Sequence, residues 1–162
     1  MGLLRQLFTP RWVMRRHFTP ELLTEIESAI AQVEGRHAGE VCFAVEHALD
    51  LPDLRAGLTA RERALEVFGL MRVWDTEANN GVLVYVLYGE RAVEIVADRG
   101  IARRVPQEDW DALCRSVERQ FHVGAFREGS LQAVRGIAAL LERHFPHGRG
   151  DANELPDQPF LL

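Results

Sequence analysis

The chain has 162 residues, a length that suits one domain around one core. Its 47% hydrophobic and 27% charged residues exclude a disordered or fibrous polymer, and no apolar run approaches the roughly 18 residues that span a bilayer. A net charge of −5 argues against a nucleic-acid partner, because phosphates repel an acidic surface.

The N-terminal stretch MGLLRQLFTPRWVMRRHF has neither a continuous apolar segment nor a small-residue cleavage site. It therefore predicts no secretion signal and a cytoplasmic location. Cys42 and Cys114 lack metal or redox spacing and read as two reduced thiols.

Residues 1–16 form a basic, amphipathic arm. Arg5, Arg11, Arg15 and Arg16 all precede the first acid, Glu21, while Leu3, Leu4, Leu7, Phe8 and Trp12 can share a helical face. One reading is peripheral contact with an anionic membrane; the other is packing on the chain's own domain. Pro10 interrupts any long helix and favours the second.

Residues 18–35 carry a well-marked helix. Thr19 is its cap, Pro20 suits the first turn, and Leu23, Ile26, Ile30 and Val33 recur at helical spacing before Gly35. GEVCFAVE reads as a strand with Val41, Phe43 and Val45 on one face. A loop with Pro52 and Gly57 follows. Thr59 and Glu62 form a capping box for the next helix, expected to bury Ala64, Leu65, Phe68 and Met71. GVLVYVLY is apolar on both faces and reads as a central strand. Gly89–Glu90 marks a hairpin turn, and AVEIVAD a third strand. Two helices close the domain. One follows Pro106, with Trp110, Leu113, Cys114, Val117 and Phe121 as its stripe. The other spans about 127–145, with Leu131, Val134, Ala138, Leu141 and Phe145 inward. The Gly/Pro-rich tail, 147–162, is expected to be irregular, which leaves an α/β domain over 17–146.

The order is therefore α-β-α-β-β-α-α. A strand–helix–strand crossover joins parallel strands, and the hairpin then makes the third strand antiparallel. The expected fold class is α/β, a small mixed sheet sandwiched by helices. Strand polarity has a consequence for the polar residues. Glu40 starts the first strand, Asp75, Thr76, Glu77, Asn79 and Asn80 enter the second, and Asp98 leaves the third. All should meet at one rim. Carboxylate and amide oxygens gathered this way suit a hard cation such as Ca2+ or Mg2+, with Arg99 available for an anion. A plainer reading stands beside it: Asn-Gly pairs form turns, strand ends collect acids, and Arg99 pairs with Asp98.

Other motifs are sparse. The sequence has no P-loop, nucleophile elbow or dinucleotide fingerprint. Pro146 separates His144 from His147 and spoils a metal pair. Arg61 and Arg63 at the start of the second helix read as a solvated face.

The segments GEVCFAVE, RALEVFGLMRVWDTEANNGVLVYV, RAVEIVADRGIARRVP, Trp110, FHVGAFREGSLQAVRGI and NELPDQPFLL together resemble the TPM domain in its short soluble bacterial branch. The resemblance implies an α/β sandwich, phosphatase activity proposed for some members and divalent-cation binding, notably of calcium, in others. Its matching polar positions are Glu40, Thr76, Asn80, Gly81, Asp98, Arg99 and Gly100. Longer members carry a secretion signal, a membrane anchor and an aspartate-containing segment before the first helix; here RRHFTP stands in that last place.

Two functions follow as expectations. The first is a cation-binding or protein-interaction module, with an unknown protein partner and no catalytic motif. The alternative is a metal-dependent phosphatase acting on phosphomonoesters, with Asp98 or Asp75 holding the metal and Arg99 clamping phosphate.

Overall fold

The structure, a computed structural model, describes residues 9–146 and 152–162. Leu3, Leu4, Leu7 and Phe8 of the basic arm lie outside the described residues. The rest of the arm forms α1 (Arg11–His17), which buries Met14 and leaves Trp12 exposed.

Helix α2 (Pro20–Glu34) starts as its sequence dictates, with the Leu22 N–H donating to Thr19 Oγ1 at 3.3 Å. It buries Leu22, Ile26, Ile30 and Val33; Leu22 takes the place expected of Leu23, which is only partly covered. Strand β1 (Glu40–Glu46) follows. The expected loop then contains a short helix, α3 (Leu51–Ala56). Its signals were Pro52 in the first turn and Gly57 just past the end, in left-handed backbone at φ 75°.

Helix α4 (Ala60–Leu70) carries the predicted capping box: Thr59 Oγ1 accepts the Glu62 N–H, and the Glu62 carboxylate accepts the Thr59 N–H. Its buried face holds Ala64 and Val67, with Phe68 and Met71 partly covered. Leu65 lies off that face and is half exposed, contrary to expectation. Strands β2 (Gly81–Leu87) and β3 (Ala92–Ala97) form the hairpin. Beyond them come the single-turn α5 (Arg99–Ala102), α6 (Gln107–His122) and α7 (Phe126–His144).

The sheet order is β3-β2-β1-β4. Strand β1 runs parallel to β2, with Glu40 opposite Gly81, and β3 runs antiparallel to β2, with Ala97 opposite Val82. The fourth strand departs from the expected irregular tail: β4 (Phe160–Leu161) lies parallel to β1 at Ala44 and Val45. The outer edge of β1 has unpaired backbone groups to satisfy, and the tail supplies them.

Helices cover both faces. Val41, Phe43, Val45, Val82, Val84 and Val86 share one core with the buried stripes of α2, α6 and α7. Cys42, Ala44, Leu83, Tyr85 and Leu87 share another with α4 and Leu155 of the tail. The chain is thus a mixed α/β sandwich with every residue of β2 buried. Side chains seal the outer edge of β3: Arg61 Nη1 donates to the Ile95 carbonyl at 2.7 Å, and the Val93 N–H donates to Glu118 Oε1 at 3.0 Å. Among the described residues, no helix is long and apolar enough to cross a membrane.

Candidate functional site

Strand polarity brings the three polar segments to one end of the sheet. The Glu40 N–H donates to the Asn80 carbonyl at 3.0 Å, the Asp98 N–H to the Gly81 carbonyl at 2.8 Å, and the Gly100 N–H to the Asn79 carbonyl at 3.0 Å. These three bonds stitch the start of β1, the entry to β2 and the exit from β3 into a continuous rim.

The entry loop is a built turn. The Asn80 N–H donates to Thr76 Oγ1 at 3.1 Å, and Asn79 sits in left-handed backbone at φ 51°, which asparagine tolerates. Gly100 packs against this turn so closely that a Cβ there would lie 2.4 Å from the Asn79 carbonyl oxygen. Asn79 Oδ1 accepts Arg99 Nε at 3.1 Å. The Asp98 carboxylate caps α5 through Oδ1, which accepts the Arg99 N–H at 2.7 Å.

The acids at this end take separate roles. Asp75 pairs with Arg72 at 2.6 Å on the surface. The Glu77 N–H donates to the Glu154 carboxylate at 3.1 Å, tying the loop to the tail. Glu40 is buried; its Oε2 accepts the N–H groups of Glu154 and Leu155 at 3.2 and 3.3 Å. Burial, foremost, pushes the Glu40 carboxyl above its ordinary pKa.

Two oxygens at the rim remain without a hydrogen-bond partner among the described residues: Asn80 Oδ1 and Asp98 Oδ2, both buried atoms. The Asn80 side chain is anchored by its other end, Nδ2 donating to the Ala38 carbonyl at 2.5 Å. Carboxylate and amide oxygens are the donor chemistry of a hard cation, and that much of the rim fits one. Among the described residues, no group of three or more His, Cys, Asp or Glu is arranged to hold a metal ion.

Two further constellations have no local signature in the sequence. A cavity of about 300 Å³ beside the start of β1 is lined by Glu34, His37, Glu40, Asn153 and Asp157. Glu34 Oε1 accepts the Val41 N–H at 3.2 Å, covering the part of β1's edge that β4 leaves open. Burial, with Asp157 and Glu40 adding negative charge, pushes the Glu34 carboxyl up to about 8. At the opposite end of the sheet, Arg63 forks onto buried Glu46, which also accepts the Tyr85 hydroxyl. Arg63 is thus a buried-pair donor and not the solvated residue expected from its place on α4.

Comparison with known proteins follows the same pattern. The TPM domain matches residues 15–140, more than three quarters of the chain. The chain belongs to the TPM domain family. Among solved structures, this TPM domain is similar to the NMR structure of BA42 protein from the psychrophilic bacterium Bizionia argentinensis. The TM-score is 0.77 at 27% identity, covering 89% of this chain and 94% of that one. It also shares its fold with the N-terminal domain of a protein from P. gingivalis, with a TM-score of 0.58 at 17% identity over 75% and 76% of the two chains. No curated protein matches it.

Proposed function

We propose that this TPM-domain protein is a binding module that takes a divalent cation, calcium or magnesium, at the rim joining β1, β2 and β3. The observation that carries this reading is the pair of buried, unpartnered oxygens, Asn80 Oδ1 and Asp98 Oδ2, on adjoining strand ends. A buried acceptor without a partner costs about 1–3 kcal/mol. A hard cation recovers that cost because it prefers such oxygens. Asp98 supplies charge, Asn80 a neutral donor, and the backbone bonds around Asn79 and Gly100 hold both in place before any ligand arrives. Burial pushes the Cys42 and Cys114 thiols up to about 12, which argues against either serving as a thiolate nucleophile at neutral pH.

Calorimetric titration of the full chain with calcium and with magnesium, alongside Asp98→Asn, tests the proposal. Asparagine is a good helix cap, so the variant keeps α5. Binding that is weakened at least about tenfold in the variant agrees with the loss of one charged ligand. Equal heats in the two proteins overturn the assignment.

A second reading, a metal-dependent phosphatase, draws on Arg99. Its side chain is exposed at the same rim, where Nε donates to Asn79 Oδ1. Its terminal nitrogens could then grip a phosphoryl oxygen beside the metal. Aryl phosphate hydrolysis that needs the cation and is lost in Arg99→Met supports this reading, and hydrolysis unchanged by that substitution rejects it.

A further inference from the structure

Helix α1 lies across the end of the sheet opposite the rim. The Thr9 carbonyl meets His47 Nε2 just past β1, and His17 Nδ1 lies 2.7 Å from the Tyr88 hydroxyl just past β2. Met14 and Phe18 anchor this segment in the core. The other side of α1 holds Arg11, Trp12, Arg15 and Arg16, all exposed.

The turn between α6 and α7 belongs to the same end. The His17 ring lies 4.6 Å from that of Phe126, the first residue of α7. The Arg91 guanidinium sits 5.8 Å over the Phe126 ring and donates to the His122 carbonyl. Val123 follows, 79% exposed and the barest large apolar residue among those described. Trp12 is 58% exposed, with the Arg16 guanidinium 5.7 Å over its ring. Two bulky apolar tips from distant segments thus stand out from one end.

The charge around them is one-sided. Arg11, Arg15 and Arg16 take part in no ion pair among the described residues. Glu21, Asp50 and Glu90 come from the adjoining connections. The whole chain carries a net charge of −5, yet no acid precedes Glu21, and the opening stretch MGLLRQLF is itself basic and apolar by sequence.

We propose that this end is a docking surface for an anionic lipid bilayer. Trp12 and Val123 enter the boundary between headgroups and acyl chains, and Arg11, Arg15 and Arg16 meet the lipid phosphates. Tryptophan suits that boundary because it joins an apolar ring to one N–H donor. Separate protrusions fit a fluid interface, whereas a folded partner needs a matched hollow for each. A nucleic acid offers phosphates but no apolar layer for Val123. The acidic remainder of the chain is repelled by the same surface, so the molecule sits with its rim toward water. This inference does not depend on the cation proposal.

Sedimentation of the full chain with lipid vesicles, in a chelator that removes calcium bridges, tests it. Phosphatidylcholine vesicles with about 30% phosphatidylserine should bind the chain at least about tenfold more tightly than phosphatidylcholine alone, and salt should weaken that binding. Arg15→Gln combined with Arg16→Gln should lose at least about tenfold, since each basic residue near such a surface is worth about fivefold. Trp12→Ser and Val123→Ser should each lose about fivefold or more. Thermal unfolding should stay unchanged in both, because both side chains are exposed. Leu70→Ser, similarly bare at the C-terminal end of α4, is the control and should bind like the parent protein. No binding to either vesicle, equal binding to both, or full binding by Trp12→Ser or Val123→Ser overturns the inference. So does an equal loss in Leu70→Ser.

Discussion

Arg63 on α4 forks onto Glu46 at the end of β1, with Nε and Nη2 lying 2.9 and 2.8 Å from its two carboxylate oxygens. The Tyr85 hydroxyl from β2 donates to the same carboxylate, so one acid joins a helix and two strands. Removing the cation strands a buried charge. Arg63→Met should therefore destabilise the fold by roughly 3–5 kcal/mol in urea unfolding. Pairing it with Glu46→Gln should recover most of that loss, because no charge then stays buried alone and the amide oxygen still accepts the Tyr85 hydroxyl. A double variant as unstable as the single one would contradict this account.

Gly100 and the Asn79 turn meet without room for a side chain. A Cβ at Gly100 would lie 2.4 Å from the Asn79 carbonyl oxygen and 2.7 Å from that of Ala78, both rigid backbone atoms. Gly100→Ala should cost at least the about 1–3 kcal/mol typical of overpacking and shift the amide resonances of residues 78–80. Gly35→Ala is the control: a Cβ there meets nothing within 4 Å, and stability should change little.

Glu34 sets a pH dependence with a definite sign. Its carboxyl is ordinary in the unfolded chain, at 4.5, and about 8 in the fold. Above 4.5 the unfolded state ionises first, so the stability present at low pH is lost as pH rises, until the folded carboxyl also ionises near 8. Glu34→Gln keeps an oxygen for the Val41 N–H and removes the titration. Urea midpoints measured across this window should show the variant gaining on the parent protein as pH increases. A difference that does not vary with pH would contradict the shift.

The capping box of α4 makes a smaller, local contribution. Thr59→Ala deletes the acceptor of the Glu62 N–H and should cost about 1 kcal/mol. Thermal unfolding of the single variant measures it, and an unchanged midpoint would remove the cap from the stability account.

Much of this arrangement was legible in the sequence because it follows from local signals and strand polarity. Thr19 and Thr59 announced their helices, and the β-α-β crossover followed by a hairpin fixed which strand ends meet. Strand polarity alone therefore places Glu40, Asn80 and Asp98 on one rim. The segment 51–56 reads as a loop because proline is a common loop former, yet Pro52 sits in the first turn of α3. Leu65 shows the limit of apolar spacing: it fits a helical stripe, but the sheet meets the neighbouring face at Ala64 and Val67. The remaining misses are long-range. Glu46 and Arg63 lie on different elements, and Glu34 meets Asp157 only because the tail returns to β1. No pattern within a window of sequence encodes either meeting.

The cation site at the rim is tested most directly by following the amide NMR spectrum of the full chain during calcium titration. The account predicts saturable shifts centred on residues 76–81 and 98–100, which bracket Asn80 and Asp98, and their loss in Asp98→Asn. An unmoved spectrum at millimolar calcium, or the same shifts in Asp98→Asn, would contradict it.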